Sequence, residues 1–502
     1  MDTISQQPPR PNGSLGLPSE LLTTILQNTL PNIWHKDIWG RERIINTVAY
    51  YHQLCLLRGI CFVWKEAIDA SPNVWALVGN TTPDFNKCLF KSKNASLTIG
   101  LREQPANSKE LANWEKCLGV ISRWGVVDVE CHLEGDRGER YVSALEASPA
   151  PMLRVLNLAA YASNDLRIHI FGGVAPCLRE LRLRHISLKH WDSPFLFNLR
   201  ELSLNGVHGL TIEQVLAILE ACVHLEKLSL ILVHINNASP STSASEPRRD
   251  INLSSLKSFA ISGLDPTATN RLLQTIQTPS CRKFMFQLSS FQRPKNDPIC
   301  CKCVDTAFRS FLITAEDVRV TITTKSFNII DVRATQRNDR SAFNVHLRAY
   351  SSHFVWSTFV PLFILETIPI ELTFGSNDQD VLLETSAWAM HGVWKVVSRL
   401  GMGMEKIIQE LGFAKAIDGE FRWLWPRLCE LSVFGVSGEE LLRMLEARAE
   451  AAIVGRVSDY QQRMPVPIKL LILGRSCTVS PTILEDLRRF VGKVVMESPA
   501  ET

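Results

Sequence analysis

The chain has 502 residues, 45% hydrophobic and 21% charged, with a formal net charge of +3. That length buries a large core, in more than one domain or in an extended repeat array. The small net charge argues against nonspecific nucleic-acid binding as the main task, and no apolar run reaches the ~20 residues that span a membrane. Met1–Gly16 is polar and proline-bearing, reads as a disordered lead (residues 1–16), and has no signal-peptide pattern. A cytoplasmic or nuclear location is therefore expected. Thirteen cysteines without regular spacing do not make a disulfide framework. Cys61, Cys222 and Cys281 replace apolar residues in patterned segments, as reduced, buried cysteines do.

Residues 17–75 hold two amphipathic helical patterns. Leu17, Leu21, Leu22, Ile25, Leu26 and Leu30 form one apolar stripe. Pro18 sits where a first helical turn tolerates a missing N–H, and Pro31 ends the run. The second pattern puts Leu54, Leu57, Cys61, Trp64 and Ile68 on one face, widened by Ile60 and Val63. It stops at Ser71, because the residue before a proline is pushed out of the helical region. Two apolar faces on so short a stretch predict one packed internally and one turned to a partner.

These residues resemble an F-box, the motif that docks substrate receptors onto the Skp adaptor of cullin-based ubiquitin ligases. Its Leu-Pro-x-Glu-Leu-Leu-x-x-Ile-Leu pattern is met by Leu17-Pro18-Ser19-Glu20-Leu21-Leu22-Thr23-Thr24-Ile25-Leu26. The following elements are met by Leu56 with Ile60-Cys61-Phe62-Val63-Trp64, and by Ser71 with Trp75. Ile60 replaces the usual valine. Asn32–Gln53 is longer than the usual connection and carries Trp34, Trp39, Tyr50 and Tyr51, which predicts an ordered insertion. The resemblance implies a helical F-box over 17–80, with the insertion at 32–53. It also implies an adaptor contact formed by Leu17, Pro18, Leu21, Leu22, Ile25, Leu26, Leu54, Leu57, Ile60, Cys61, Trp64 and Trp75, with cullin joined through the adaptor. Taken alone, Leu21, Leu22, Ile25 and Leu26 favour an ordinary internal helix; the Leu-Pro start, the Ile-Cys-x-x-Trp element and the terminal Trp together favour docking. Each Leu or Ile fully buried on docking contributes ~1.5–3 kcal/mol.

Downstream, Ser96–Leu101 and Val126–Cys131 alternate as strands. From residue 153 a unit recurs: an apolar residue, two variable, an apolar, one variable, an apolar. It begins at Leu153, Leu178, Leu199, Leu225 and Leu256, then Cys281, and returns at Leu428 and Ile468; the early starts lie 25, 21, 26 and 31 residues apart. That is near the leucine-rich-repeat period. Return helices are expected between units. One begins with a capping box at Thr211–Gln214 and has Ile212, Val215, Leu216, Leu219 and Cys222 on its inner face; Gly438–Ala447 and Pro481–Val491 read the same way. The expected fold is α/β: the helical F-box, then an irregular leucine-rich-repeat solenoid over 85–495 with parallel strands on its inner face. Residues 238–250 form a Ser/Pro-rich loop insertion, and 288–420 is the least regular part. Within it, Val318/Val320/Ile322, Phe343/Val345/Leu347 and Ile368/Ile370/Leu372 alternate as strands, either as degenerate repeats or as a separate insertion domain. Thr385–Gly412, with Trp388, Val393, Trp394, Val397, Leu400 and Ile407, is expected to be helical. The divergent repeats and the long insertion resemble the large F-box families of filamentous fungi.

Catalytic patterns are lacking in the sequence. Cys300-Cys301-Lys302-Cys303 is too closely spaced for a tetrahedral zinc site and has no second ligand pair, so it reads as a loop with incidental thiols. Gly401-Met402-Gly403-Met404 lacks the strand and the Gly-Lys-Ser/Thr of a phosphate loop, and reads as a helix break. No cofactor, metal, nucleic acid or membrane is expected. Residues between the apolar repeat positions point to the ligand-facing side of the strands: Val155 and Asn157; Glu180, Arg182 and Arg184; Glu201, Ser203 and Asn205; Lys227 and Ser229. Arg182 and Arg184 suit an acidic segment of a target. The F-box resemblance implies a non-catalytic substrate receptor of a Skp–cullin–F-box ligase that holds a target protein on its repeats. The alternatives are an adaptor-bound scaffold without cullin, and an enzyme with a site in 305–412.

Overall fold

A computed structural model describes residues 21, 24–25, 28–30, 34–36, 42–44, 47–102, 108–131, 135–160, 167–235, 250–288, 302–314, 318–326, 329–335, 342–349, 368–374, 392–398, 404–417, 420–455, 465–474 and 476–497. The lead at 1–16, most of the 238–250 loop, Cys300, Cys301, Trp388 and Leu400 lie outside them. The chain divides into two compact units, one ending at Leu210 and the other beginning at Thr211. Both mix helices with predominantly parallel strands.

In the first unit, β1 (Trp34–Lys36) and β2 (Glu42–Ile44) pair antiparallel. They occupy the first part of the expected insertion. Its last residues already belong to helix α1 (Thr47–Ile60), whose inner face is Thr47, Tyr51, Leu54 and Leu57. The single apolar stripe expected through residue 68 is instead two helices. Cys61 is extended (φ −161°, ψ 172°) and α2 (Phe62–Ala70) starts after it. Gly59, Ile60, Cys61, Phe62 and Val63 are weak helix formers in succession, so a break there is inexpensive. Arg58 of α1 closes the corner with two hydrogen bonds, of 2.9 and 3.0 Å, to the Asp69 carboxylate of α2. Lys91 approaches the same carboxylate at 3.4 Å.

A parallel sheet follows: β3 (Leu77–Gly79), β4 (Leu97–Arg102), β5 (Trp124–Cys131), β6 (Val155–Ala160), β7 (Glu180–Arg184) and β8 (Glu201–Asn205), each beside the next. Its register aligns Val78, Ile99, Val127, Leu156, Leu181 and Leu202 in one buried row. Helices α3 (Phe85–Lys91), α4 (Ser108–Leu118) and α5 (Gly135–Ala147) return the chain between the first four strands. After β6 and β7 the expected helices are replaced by short 3-10 turns at Phe171–Gly173 and Pro194–Asn198. These connections are short, and Pro194 fits the first position of such a turn. The residue after each of β7 and β8, His185 and Gly206, has positive φ (54° and 62°), and His185 N–H donates to the Asn205 carbonyl at 2.8 Å.

The second unit opens with helix α6 (Ile212–Ala221), whose capping box between Thr211 and Gln214 forms as expected. Ile212, Val215, Ile218, Leu219 and Cys222 are buried, while Leu216 is half-buried. Strands β9 (Lys227–Ile231), β10 (Ser258–Ser262) and β11 (Lys283–Leu288) run parallel. Leu232 and Gly263 repeat the positive-φ turn after β9 and β10. Helix α7 (Pro266–Thr275) is capped by the Asp265 carboxylate, which accepts from Thr267 and Ala268 N–H. Helix α8 (Lys302–Thr314) packs Phe308 and Phe311 on Phe343 at ring distances of 5.3 and 5.9 Å.

Next come β12 (Arg319–Ser326), β13 (Ile329–Thr335) and β14 (Ala342–Ala349), then β15 (Ile370–Phe374), β16 (Val393–Ser398), β17 (Glu430–Val433), β18 (Leu470–Leu473) and β19 (Lys493–Met496). Spatially the order is β9-β10-β11-β14-β13-β12-β15-β16-β17-β18-β19. A run of degenerate repeats would be parallel throughout. Here β13 alone is antiparallel to both neighbours, so the irregular block is a meander spliced into the sheet. The helix expected across 385–412 is corrected in part. Val393–Ser398 is a strand between β15 and β17, consistent with its run of β-branched residues, and only α9 (Met404–Leu411) is helical. Helices α10 (Gly438–Gly455) and α11 (Pro481–Phe490) complete the unit.

The repeat pattern reads directly as burial. In all eight recurring units the first, fourth and sixth residues, such as Leu178, Leu181 and Leu183, are at most 3% exposed. Each contributes ~1.5–3 kcal/mol of hydrophobic stabilisation.

Candidate docking surfaces

The residues expected to meet an adaptor separate into inside and outside. Leu54, Leu57 and Trp75 are buried. The Trp75 indole N–H donates to the Ile68 carbonyl at 2.9 Å, and the Lys87 ammonium lies 5.7 Å from its ring centre. Ile60 is 60% exposed, Cys61 is exposed and Trp64 is half-buried. Leu21 is helical and 49% exposed, and Ile25 is half-buried. Leu17, Pro18, Leu22 and Leu26 lie outside the described residues.

Two apolar side chains not counted among the contacts stand out at the corner: Leu56 and Phe62, both 68% exposed. Leu56 and Ile60 are four apart and share a helix face that is exposed, whereas Leu54 and Leu57 are buried. Their periodicity was a signal, but α1 is apolar on both sides and the pattern does not say which side is inside. Cys61, expected buried, is exposed because it is the extended joint between the helices. Cys222 and Cys281 are buried as expected. The hydrogen bonds from Arg58, and secondarily its charge, hold the Asp69 carboxyl below its ordinary value.

On the first unit's sheet, the residues between the buried rows are mostly half-buried and matched to one another. Arg182 Nε donates to Glu201 at 2.6 Å and its terminal nitrogen to Glu180 at 3.0 Å. Arg184 lies 3.7 Å from the Glu130 carboxylate, and the Asn157 amide donates to Asp128 at 2.7 Å. Ser203 stands beside Arg182, and Asn205 beside Arg184, one strand over. Alternation placed these side chains on the correct side of the strands. It did not reveal that both arginines have carboxylate partners within the sheet.

Lys227 and Ser229 belong to the second unit. There the register lines up Lys227, Ser258, Lys283, Asn344, Arg333 and Thr321 across six successive strands, followed by Glu371, Lys395 and Glu430. Lys227, Lys283 and Arg333 are exposed. The acids nearest this row are paired: Asp331 with His346, and Glu371 with Lys395 at 3.3 Å. Trp394, the extra residue of a bulge in β16, has the Arg319 guanidinium and the Lys395 ammonium 5.1 and 5.9 Å from its ring centre.

Cys303, the described member of the cysteine cluster, is buried in α8, where its carbonyl accepts from the Thr278 hydroxyl at 3.1 Å. Among the described residues no group of three or more His, Cys, Asp or Glu is placed to hold a metal ion. No helix among them is long and apolar enough to cross a membrane. No protein-family model matches the chain, and no curated protein matches it in sequence.

Proposed function

We propose that the chain is the target-recognition subunit of a Skp–cullin–F-box ubiquitin ligase. Its helical N-terminal segment holds the adaptor, and its repeat strands hold a protein target. The observation that carries this reading is the corner between α1 and α2. Leu56, Ile60 and Phe62 are exposed there, within the segment whose motif resembles an F-box. Large apolar side chains presented together from one short segment favour a protein partner over solvent. The stacked repeat strands supply the second end. The contribution is proximity: holding a target beside a ubiquitin-loaded enzyme supplied by other subunits raises its effective concentration and fixes its orientation. No reacting group of this chain is required.

The test is direct binding of a purified Skp-type adaptor to the full chain and to a Leu56→Glu/Ile60→Glu/Phe62→Glu variant. All three changes are at exposed positions, so the fold is retained. Saturable binding by the parent, lost in the variant with an unchanged circular-dichroism spectrum, supports the reading. Equal binding by both removes the corner as the docking surface.

A further inference from the structure

The row of side chains crossing the second unit's sheet has an order that its sequence conceals. Lys227 is on β9, Lys283 on β11 and Arg333 on β13, and these strands are every second one in space. Ser258, Asn344 and Thr321 alternate with them on β10, β14 and β12. In sequence the three cations are far apart and belong to different kinds of connection. Only the spliced meander, which puts β14 and β13 after β11, brings Arg333 into line.

Adjacent strands lie ~4.8 Å apart, so the three cations repeat every ~10 Å. A polyproline II segment has three residues per turn and a rise of ~3.1 Å. It presents every third side chain on one face at ~9.3 Å intervals. Long lysine and arginine side chains absorb the small difference. The interleaved hydroxyls and amide lie where hydrogen bonds to the backbone of such a segment would form, since polyproline II backbone has no internal partners. Along this row and the next (Ser229, Ala260, Met285, His346, Asp331, Thr323) there is no Phe, Tyr or Trp on which to stack bases. Three cations also fall short of the several phosphate contacts typical of nucleic-acid sites.

We infer that this row binds an extended acidic segment of a partner protein, with Asp or Glu at positions i, i+3 and i+6 in a polyproline II conformation. The inference deepens the receptor reading by naming the chemical class of target, and it rests on that reading only for the partner's fate, not for binding. The row belongs to the second unit, whereas Arg182 and Arg184 belong to the first.

The experiment is fluorescence polarisation of labelled twelve-residue peptides with the full-length chain at low and physiological salt. One peptide carries three Glu at i, i+3 and i+6 among Pro, Gln and Ser; its control has the same composition with the three Glu adjacent. Saturable, salt-sensitive binding of the spaced peptide is expected, at least about threefold tighter than the control. A Lys227→Glu/Lys283→Glu/Arg333→Glu variant should weaken it at least about tenfold, from three exposed charge pairs, with an unchanged thermal transition. Arg182→Ala should leave it within about twofold. No saturable binding, equal binding of both peptides, binding unaffected in the triple variant, or tighter binding of a twelve-nucleotide single-stranded DNA would each overturn the inference. Adaptor binding, measured on the unmodified chain alongside the spaced peptide, separates the two ideas. If the adaptor binds while the peptide does not, only the acidic-segment site fails; if the peptide binds while the adaptor does not, the ligase reading fails and this site stands.

Discussion

Trp75 and Ile60 both belong to the stretch that resembles an F-box, and the structure gives them opposite jobs. Trp75 is fully buried and its indole N–H is engaged by the Ile68 carbonyl; Ile60 is 60% exposed at the end of α1. Trp75→Ala removes a large buried side chain and one of the two hydrogen bonds that the Ile68 carbonyl accepts, the other coming from Ser71 N–H, a loss of ~3–5 kcal/mol. For a unit of this size each kcal/mol moves the midpoint by ~2–4 °C, so a drop of about 10 °C is expected. Trp75→Phe keeps most of the packing and should recover more than half of it. Ile60→Glu, at the surface, should stay within ~0.5 kcal/mol of the parent. Scanning calorimetry of the full chain measures all three, and isothermal titration with a Skp-type adaptor reads docking on the same samples. Ile60→Glu should lose binding without losing stability, and Trp75→Phe should keep binding. If Trp75→Ala melts like the parent yet fails to bind, Trp75 is a contact and the assignment of inside and outside is reversed.

Three further outcomes follow from the geometry. Asp69→Asn should open the α1–α2 corner at a loss of about 1 kcal/mol, the scale of a partly exposed bidentate pair. Because the Asp69 carboxyl is held below its ordinary 3.8, the pair's contribution is complete above that pH and lost as pH falls through the lower folded value. The difference between parent and variant should therefore shrink only in acid, as read by pH-dependent urea denaturation. Among the described cysteines, Cys61 and Cys177 should react first with a thiol reagent at pH 8. Cys88 and Cys281 should stay silent until unfolding, since burial pushes both thiols up to about 12; mass spectrometry of timed alkylation checks this, and a protected Cys61 would contradict the extended joint. Arg448, buried in α10, donates to the Leu424 and Trp425 carbonyls at 3.2 and 3.1 Å. Arg448→Ala should cost ~3–5 kcal/mol through the cavity and the loss of its two hydrogen bonds, lowering the second unit's melting transition, and Arg448→Lys should rescue only part because one ammonium does not replace a two-pronged donor.

Much of the strand framework was legible, for one physical reason. The unit Leu178–Leu183 combines a period-two strand with an extra inward residue at its start, and few other structures need that pattern. Its recurrence located eight strands. β13 (Ile329–Thr335) was not among the expected strands, and direction was not legible either: alternation in Ala342–Ala349 looks the same whether the strand runs up or down. Val393–Ser398 failed for a related reason, because Val393, Trp394 and Val397 satisfy a helical stripe as well as a buried strand. In the docking segment, Leu54/Leu57 and Leu56/Ile60 both read as apolar stripes along α1, and only packing against α2 and β3 decides which is core. Pairing across strands is the least legible level. Nothing near Arg182 in sequence announces Glu201, and nothing near Lys227 announces Arg333; both relations exist only once the register is fixed.

The central claim is that one chain joins a ubiquitin-ligase adaptor to a target. Affinity capture of the tagged full chain from eukaryotic cells, with quantitative mass spectrometry, tests it most directly against the Leu56→Glu/Ile60→Glu/Phe62→Glu variant. The account predicts a Skp-type adaptor and a cullin in near-equal amounts with the parent, and neither with the variant. Adaptor without cullin would make the chain a scaffold, and capture of neither by the parent would contradict the account.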